Sequence, residues 1–187
     1  MMCLNRRGFI TATAAAFATG PAFAAAKKPY QIPDNHRARI VKIRGGFAPD
    51  EIHVDPKKFA LYWTLPDDKA IRYPVAIGLP GQYYDGAFTI GRKAEWPSWT
   101  PTKRMVARNP EYFAKFAGGV PGGPENPLGS RALYLYDGPR DSLLRIHGTT
   151  QPWLVETETS SGCVRMINDH VEDLFVRVRK GTKVILH

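Results

Sequence analysis

Two residues sixteen positions apart, His147 and Cys163, are the pair in this chain best suited to nucleophilic chemistry. They lie in the runs Ile146-His147-Gly148-Thr149 and Ser160-Ser161-Gly162-Cys163-Val164-Arg165-Met166. A thiol becomes an effective nucleophile when a base takes its proton and backbone donors hold the oxyanion its attack creates. A histidine is the right type for the proton, because its ordinary pKa lies near neutrality. Amides around Gly162 and Cys163 suit the oxyanion, and a glycine there permits a tight turn and close approach. Ser160 is expected to support the loop through hydrogen bonds, since the thiol is the stronger nucleophile at neutral pH. Residue type alone leaves a second reading open, because a free cysteine often serves as a small buried hydrophobe.

The first residues bear on that choice. Asn5-Arg6-Arg7-Gly8-Phe9-Ile10 has a twin-arginine pattern, an apolar alanine-rich run follows, and Ala22-Phe23-Ala24 has the small-x-small form of a cleavage site. Residues 1–24 therefore read as a cleaved signal for twin-arginine export to the periplasm, the run being short of the roughly 20 residues that cross a bilayer. Cleavage takes the formal charge from +9 to +7 and leaves Cys163 as the only cysteine. A lone thiol in an oxidising compartment is a liability unless buried or used, which favours the catalytic reading. No further apolar run reaches spanning length, so the mature part is expected to be soluble. Its basic residues are scattered, without the compact basic run interleaved with aromatics that nucleic-acid binding would need. An anionic cell-wall polymer or lipid surface suits the charge better.

The elements that must position the pair read mostly as strands. Residues 25–37 form a polar, proline-containing leader that is expected to be flexible, and 38–187 form one domain. Alternating or apolar runs at 39–44, 52–54, 59–65 and 72–77 suggest a meander with short loops, and 88–91 begins another strand. Residues 92–131 form a long insertion rich in Pro, Gly and Trp, of the kind that serves as a lid or binding wall. Within it, Asn109 followed by Pro110 and Glu111 marks the start of a short helix. Residues 132–136 and 143–147 pair as a hairpin around Asp137-Gly138, which puts His147 at a strand end. Asn168 is expected to cap a helix whose stripe Val171, Leu174, Phe175 and Val178 faces the core, with 182–186 as a closing strand. His36, His53 and His187 read as surface or packing residues. Clustered ligands at metal-binding spacing are absent, so no metal or cofactor is expected.

His147-Gly148-Thr149 with Ser160-x-Gly162-Cys163-Val164-Arg165-Met166, and Asn168 before a helix, resembles the signature of the L,D-transpeptidase (YkuD-like) catalytic domain. Trp99-Thr100-Pro101-Thr102 and the run from Val120 to Gly129 are similar to the lid of its periplasmic Gram-negative branch, so the likeness covers about 52–186. Ser161 stands where many members carry His or Gln, and His170 where Asp is common. The resemblance implies a mostly-β fold, a curved sheet or sandwich with a long lid insertion and a small helix beside the cleft. It also implies a peptidoglycan transpeptidase working through Cys163 as nucleophile, His147 as general base and acid, and Gly162 as oxyanion donor. Ser160, Ser161, Gly148, Thr149 and Trp99 would line the substrate groove. Arg165 either binds a stem-peptide carboxylate or pins the catalytic loop, and Trp96 and Trp99 either line the groove or pack in a core.

On that resemblance, Cys163 would attack the diaminopimelate carbonyl of a tetrapeptide stem, release D-Ala and form a thioester. An acceptor amine would then resolve the thioester, giving a 3-3 cross-link or anchoring an outer-membrane protein. Water or a free D-amino acid would give carboxypeptidase or exchange activity. Carbapenem-type β-lactams would acylate the same thiol. A reading of another class, a non-catalytic cell-wall-binding domain, keeps the groove without using the thiol.

Overall fold

The computed structural model describes residues 30–187, so the expected signal, 1–24, and the first part of the leader lie outside the described residues. Gln31–His187 forms one compact unit. Its strands are β1 (Arg39–Lys42), β2 (Ile52–Asp55), β3 (Ala60–Leu65), β4 (Lys69–Gly78), β5 (Gly86–Glu95), β6 (Arg131–Asp137), β7 (Arg140–His147), β8 (Glu158–Ser160), β9 (Val164–Met166) and β10 (Lys183–Leu186). The helices are α1 (Lys103–Arg108), α2 (Pro110–Phe113) and α3 (Asn168–Arg177).

The strand order is β1-β4-β3-β2-β10-β5-β6-β7-β9, and β9 pairs again with β4. That second pairing, Val75 with Met166 and Ala76 with Arg165, closes the curved sheet on itself. Each strand turns one set of alternate side chains inward. Ile52 and Val54, Leu61 and Trp63, Ile71 and Tyr73, Ile146, and Val164 and Met166 thereby join one buried cluster. Each fully buried aliphatic contributes roughly 1.5–3 kcal/mol, so this interior dominates the stability of the fold.

Helix α3 adds Val171, Leu174 and Val178 to that cluster, while Phe175 packs at its margin. Asp169 in its first turn and Arg177 in its last suit the helix dipole. Asp173 pairs with Arg177 one turn on, at 2.7 Å, and also accepts from the Tyr73 hydroxyl. The ammonium of Lys93 on β5 reaches the Phe175 and Val178 carbonyls, the latter at 2.6 Å, and so satisfies acceptors at the end of the helix. Among the described residues no helix is long and apolar enough to cross a membrane.

Several sequence expectations need new boundaries. The strand begun at 88 extends to Glu95, so the insertion between strands is shorter than 92–131. It contains α1 as well as α2, capped by Thr102 Oγ1, which accepts from Met105 N at 3.2 Å. α2 starts as expected, with Pro110 in the first turn and Asn109 Oδ1 accepting from Tyr112 N at 3.1 Å. β7 begins at Arg140, because Ser142 Oγ stands in for the backbone at an irregularity: it donates to Leu135 O at 2.6 Å and accepts from Leu144 N at 3.2 Å. Of the expected leader, Asp34–His36 forms a 3-10 turn, and His36 lies 3.3 Å from Glu156.

Candidate active site

The short strands β8 and β9 hold the cysteine loop between them. β9 runs parallel to β7, with Ile146 opposite Val164 and His147 opposite Arg165. Paired residues share a face, so the inward face takes Ile146 and Val164, and the outward face takes His147 and Arg165. Cys163 and Arg145, each two residues earlier on the same strand paths, fall on that outward face too.

The turn before Cys163 is fixed by Ser160. Its hydroxyl donates to Cys163 O at 2.5 Å and accepts from Gly162 N at 3.1 Å. Gly162 has φ +124°, and a Cβ there would lie 2.9 Å from Gln82 O and 3.2 Å from the Tyr84 ring. Only glycine satisfies both limits. The Ser160 contact matches the supporting role expected for it. The same contact engages the Gly162 amide, the expected oxyanion donor, with Ser160 Oγ.

His147 is 3% exposed. Its Nδ1 donates to Gly148 O at 2.6 Å, which leaves the lone pair on Nε2. Burial, with the positive charge of Arg165 behind it, pushes the imidazole down to about 3, against the pull of the Gly148 and Leu128 carbonyls. Cys163 moves the other way: burial raises the thiol, opposed by the Arg145 amide and the charges of Arg145 and Arg165. Both groups are therefore neutral at neutral pH. Sγ lies 4.0 Å from Leu143 O, and no hydrogen bond joins it to His147, a separation common before substrate binds.

Arg165 forms no ion pair among the described residues, and its Nε is buried without a partner. Burial lowers its pKa, opposed by Cys163 and by Tyr112 from α2. Arg145, by contrast, is fully engaged. Its guanidinium holds Asp141 bidentately at 2.6 and 2.8 Å and stacks 4.1 Å from the Tyr134 ring, whose ring is also covered by Arg92 at 3.6 Å. Arg92, Tyr134 and Arg145 are cross-strand neighbours, so a rigid row runs over β5, β6 and β7 toward the thiol. The alternation back from His147 was the sequence signal for Arg145.

Asn168 corrects another expectation. It is the first residue of α3, not its cap; Ile167 takes that place without a side-chain bond. The Asn168 carboxamide instead accepts from Ser130 N at 3.2 Å and Thr149 N at 3.1 Å. It sits so close over Gly148 that any Cβ there would collide with Oδ1. Thr149 is 5% exposed, and its Oγ1 accepts from Gln151 N at 3.0 Å. Gly148 and Thr149 thus shape the histidine loop. Ser161 is partly exposed beside Gly162.

The lid resolves the tryptophans. Trp99 bridges to Val120 through paired backbone bonds of 2.9 and 2.7 Å, and its ring packs with Phe113 and Phe116. Trp99, partly buried, thus packs within the lid, whereas Trp96 is 44% exposed. Arg104 donates to Tyr84 Oη at 2.7 Å and Arg108 donates to Gln82. The lid thereby grips the same loop that packs against Gly162.

A closed, mostly-β protein with an imidazole at the end of one strand and a thiol in the loop entering its neighbour, with an aromatic lid, is the class that the fold and site define. The chain belongs to the YkuD family, the L,D-transpeptidase catalytic domain, whose model matches residues 49–186. The probable L,D-transpeptidase ErfK/SrfK of Escherichia coli (strain K12) is 35% identical over 139 residues, covering 71% of this chain and 42% of that protein. The probable L,D-transpeptidase YbiS of the same strain is 33% identical over 143 residues, covering 73% and 45%. The chain thus spans under half the length of these curated relatives. A crystal structure from Brucella melitensis, titled a probable carnitine operon oxidoreductase, is 46% identical with a TM-score of 0.57, covering 83% of this chain and 96% of that one. The catalytic domain of the Enterococcus faecium L,D-transpeptidase shares the fold, with a TM-score of 0.52 at 19% identity over 76% of this chain and 100% of that one.

Proposed function

We propose that this protein is a periplasmic peptidoglycan L,D-transpeptidase, exported by the twin-arginine route and acting through a Cys163 thioester. The observation that carries the reading is the grouping of Cys163, His147 and an unpaired, largely buried Arg165 on one face of β7 and β9. A buried guanidinium nitrogen without a partner, as Arg165 Nε is, is costly, and a substrate carboxylate would supply the missing charge and hydrogen bond. This favours carboxylate binding over loop pinning for Arg165.

The chemistry starts from the neutral pair. His147 Nε2 takes the thiol proton as sulfur attacks the diaminopimelate carbonyl of a tetrapeptide stem, and the Cys163 amide receives the oxyanion. The charge building on the imidazole is transient, because burial and Arg165 both oppose it. The imidazolium therefore gives its proton readily to the leaving D-Ala amine, and the tetrahedral intermediate collapses to the thioester. An acceptor amine then attacks, losing its proton to His147, and the thiol returns. The acceptor amine comes from a second stem peptide or from an outer-membrane protein; water in its place gives carboxypeptidase activity. The oxidoreductase title of the Brucella melitensis structure belongs to that protein, and the reading here follows the family and the thiol–imidazole pair.

A carbapenem tests the reading, because its acylation of a nucleophilic thiol adds a defined mass. One adduct per chain, mapped to Cys163 and absent from Cys163→Ala, is expected. An unmodified wild-type protein would count against the mechanism.

A further inference from the structure

A cavity of about 730 Å³ opens on the outward face of β2, β3 and β4, apart from the thiol. Its floor is a cross-strand row in which His53 stands opposite Tyr62 and Tyr62 opposite Arg72. The inward neighbours of these residues, Ile52, Val54, Leu61, Trp63, Ile71 and Tyr73, belong to the core, so the row is held on rigid strands. His53 is braced by a 3.1 Å contact to His187 and a 3.2 Å contact to Glu51. The walls are the segment after β1, with Ile43 and Phe47, and the turn at Pro56.

The rim carries Lys42, Arg44, Lys57 and Lys58. Lys58 is matched by Asp55 at 3.2 Å, and Arg72 on the floor by Glu156 at 3.3 Å. Lys42, Arg44 and Lys57 have no ion-pair partner among the described residues. Three unmatched like charges around one concavity repel each other and raise the local potential for anions. The volume lies within the range of small-molecule sites, and two aromatic residues line it beside the cations, Tyr62 on the floor and Phe47, whose ring packs edge-to-face with His53 at 4.6 Å. Arg72 and Ala76 share the outward face of β4, and Ala76 pairs with Arg165. Four residues of strand separate them, roughly 13 Å. The Glu156 segment crosses between, its amide bonded to Val75 O at 3.0 Å, so the cavity is not an extension of the thiol cleft.

We propose that this cavity binds an oxyanion-bearing ligand with a sugar-sized ring body, through the Lys42, Arg44 and Lys57 rim and the Tyr62 face. The oxyanions are carboxylates or phosphates. If the transpeptidase reading holds, the source at hand is the carboxylate-bearing wall glycan, and the cavity would hold the polymer beside the cleft that processes its peptide.

The test uses the full mature chain carrying Cys163→Ala, titrated by calorimetry with a peptide-free glycan fragment bearing free lactyl carboxylates. The same fragment with amidated carboxylates and an oligomer of glycerol phosphate are the comparison probes. Binding should weaken with salt. It should fall roughly tenfold in Lys42→Gln/Arg44→Gln/Lys57→Gln, whose exposed positions leave the fold intact by circular dichroism. Preference for the carboxylate fragment, or for the phosphate oligomer, identifies the source and supports the site. Binding of neither anion, or binding that ignores the triple substitution, overturns it. The readout needs no turnover, so it stands apart from the transpeptidase reading.

Discussion

The depressed imidazole of His147 makes a measurable demand on stability. In the unfolded chain a histidine titrates near 6.5, whereas burial and Arg165 hold His147 at about 3 in the folded protein. Below about pH 6.5 the unfolded state therefore takes up a proton that the folded state refuses, and stability falls as pH drops toward 3. Two pH units below the unfolded value the loss is on the order of 3 kcal/mol. For a domain of this size that corresponds to roughly 5–11 °C in Tm. Burial also lowers His53 and His170, and their contribution appears in any variant that keeps them. The comparison is therefore between wild type and His147→Gln, which preserves a polar group near the Gly148 carbonyl without a titrating ring. Urea unfolding followed by tryptophan fluorescence, at about pH 7.5 and about pH 4.5, gives the two losses. Wild type should lose on the order of 3 kcal/mol more than His147→Gln. Equal losses would refute the claim that this ring is held neutral by its surroundings.

Other expectations follow from the same site. Asn168→Ala removes the acceptor shared by the Ser130 and Thr149 amides and should cost roughly 2–4 kcal/mol in urea unfolding, with Asn168→Asp recovering most of it; a loss below about 1 kcal/mol would show that the clamp is dispensable. The raised Cys163 thiol should give an iodoacetamide alkylation rate that still climbs through about pH 9, and slow oxidation by dilute peroxide at neutral pH; an inflection below pH 7 would indicate a resident thiolate instead. Arg165→Gln should keep or raise Tm, because it removes an unpartnered buried group, and raise KM roughly tenfold or more through loss of a charge-assisted bond; a lower Tm with unchanged KM would make Arg165 a loop pin.

Much of the site was legible because its residues keep a local pattern. The hairpin around Asp137-Gly138 put His147 at a strand end, and Gly162 next to Cys163 announced a tight turn. The hydrophobic strand periodicity and the Asn109-Pro110 helix start were equally local, and both are present in the fold. What sequence could not give was the identity of long-range partners. Asn168 has the type and place of a helix cap, yet its carboxamide is drawn to two amides, 38 and 19 positions earlier, that come together only when the strands close. The bond from the Gly162 amide to Ser160 Oγ depends on how the turn folds and is not written in the residue types. Trp99 carries no sign of whether its ring meets substrate or Phe116. β8 and β9, three residues each, are too short for any periodicity, and pairing with β4 and β7 makes them strands. Nor does the His53–Tyr62–Arg72 row exist until three strands are in register.

The most direct test is product analysis of the mature protein incubated with a disaccharide-tetrapeptide from a diaminopimelate-type wall, beside its Cys163→Ala variant. Mass spectrometry should find free D-Ala together with a cross-linked dimer from the wild type alone. D-Ala release with water addition would keep the thioester and change the acceptor. Retained binding with no D-Ala released by either protein would contradict the account and leave a wall-binding domain in its place.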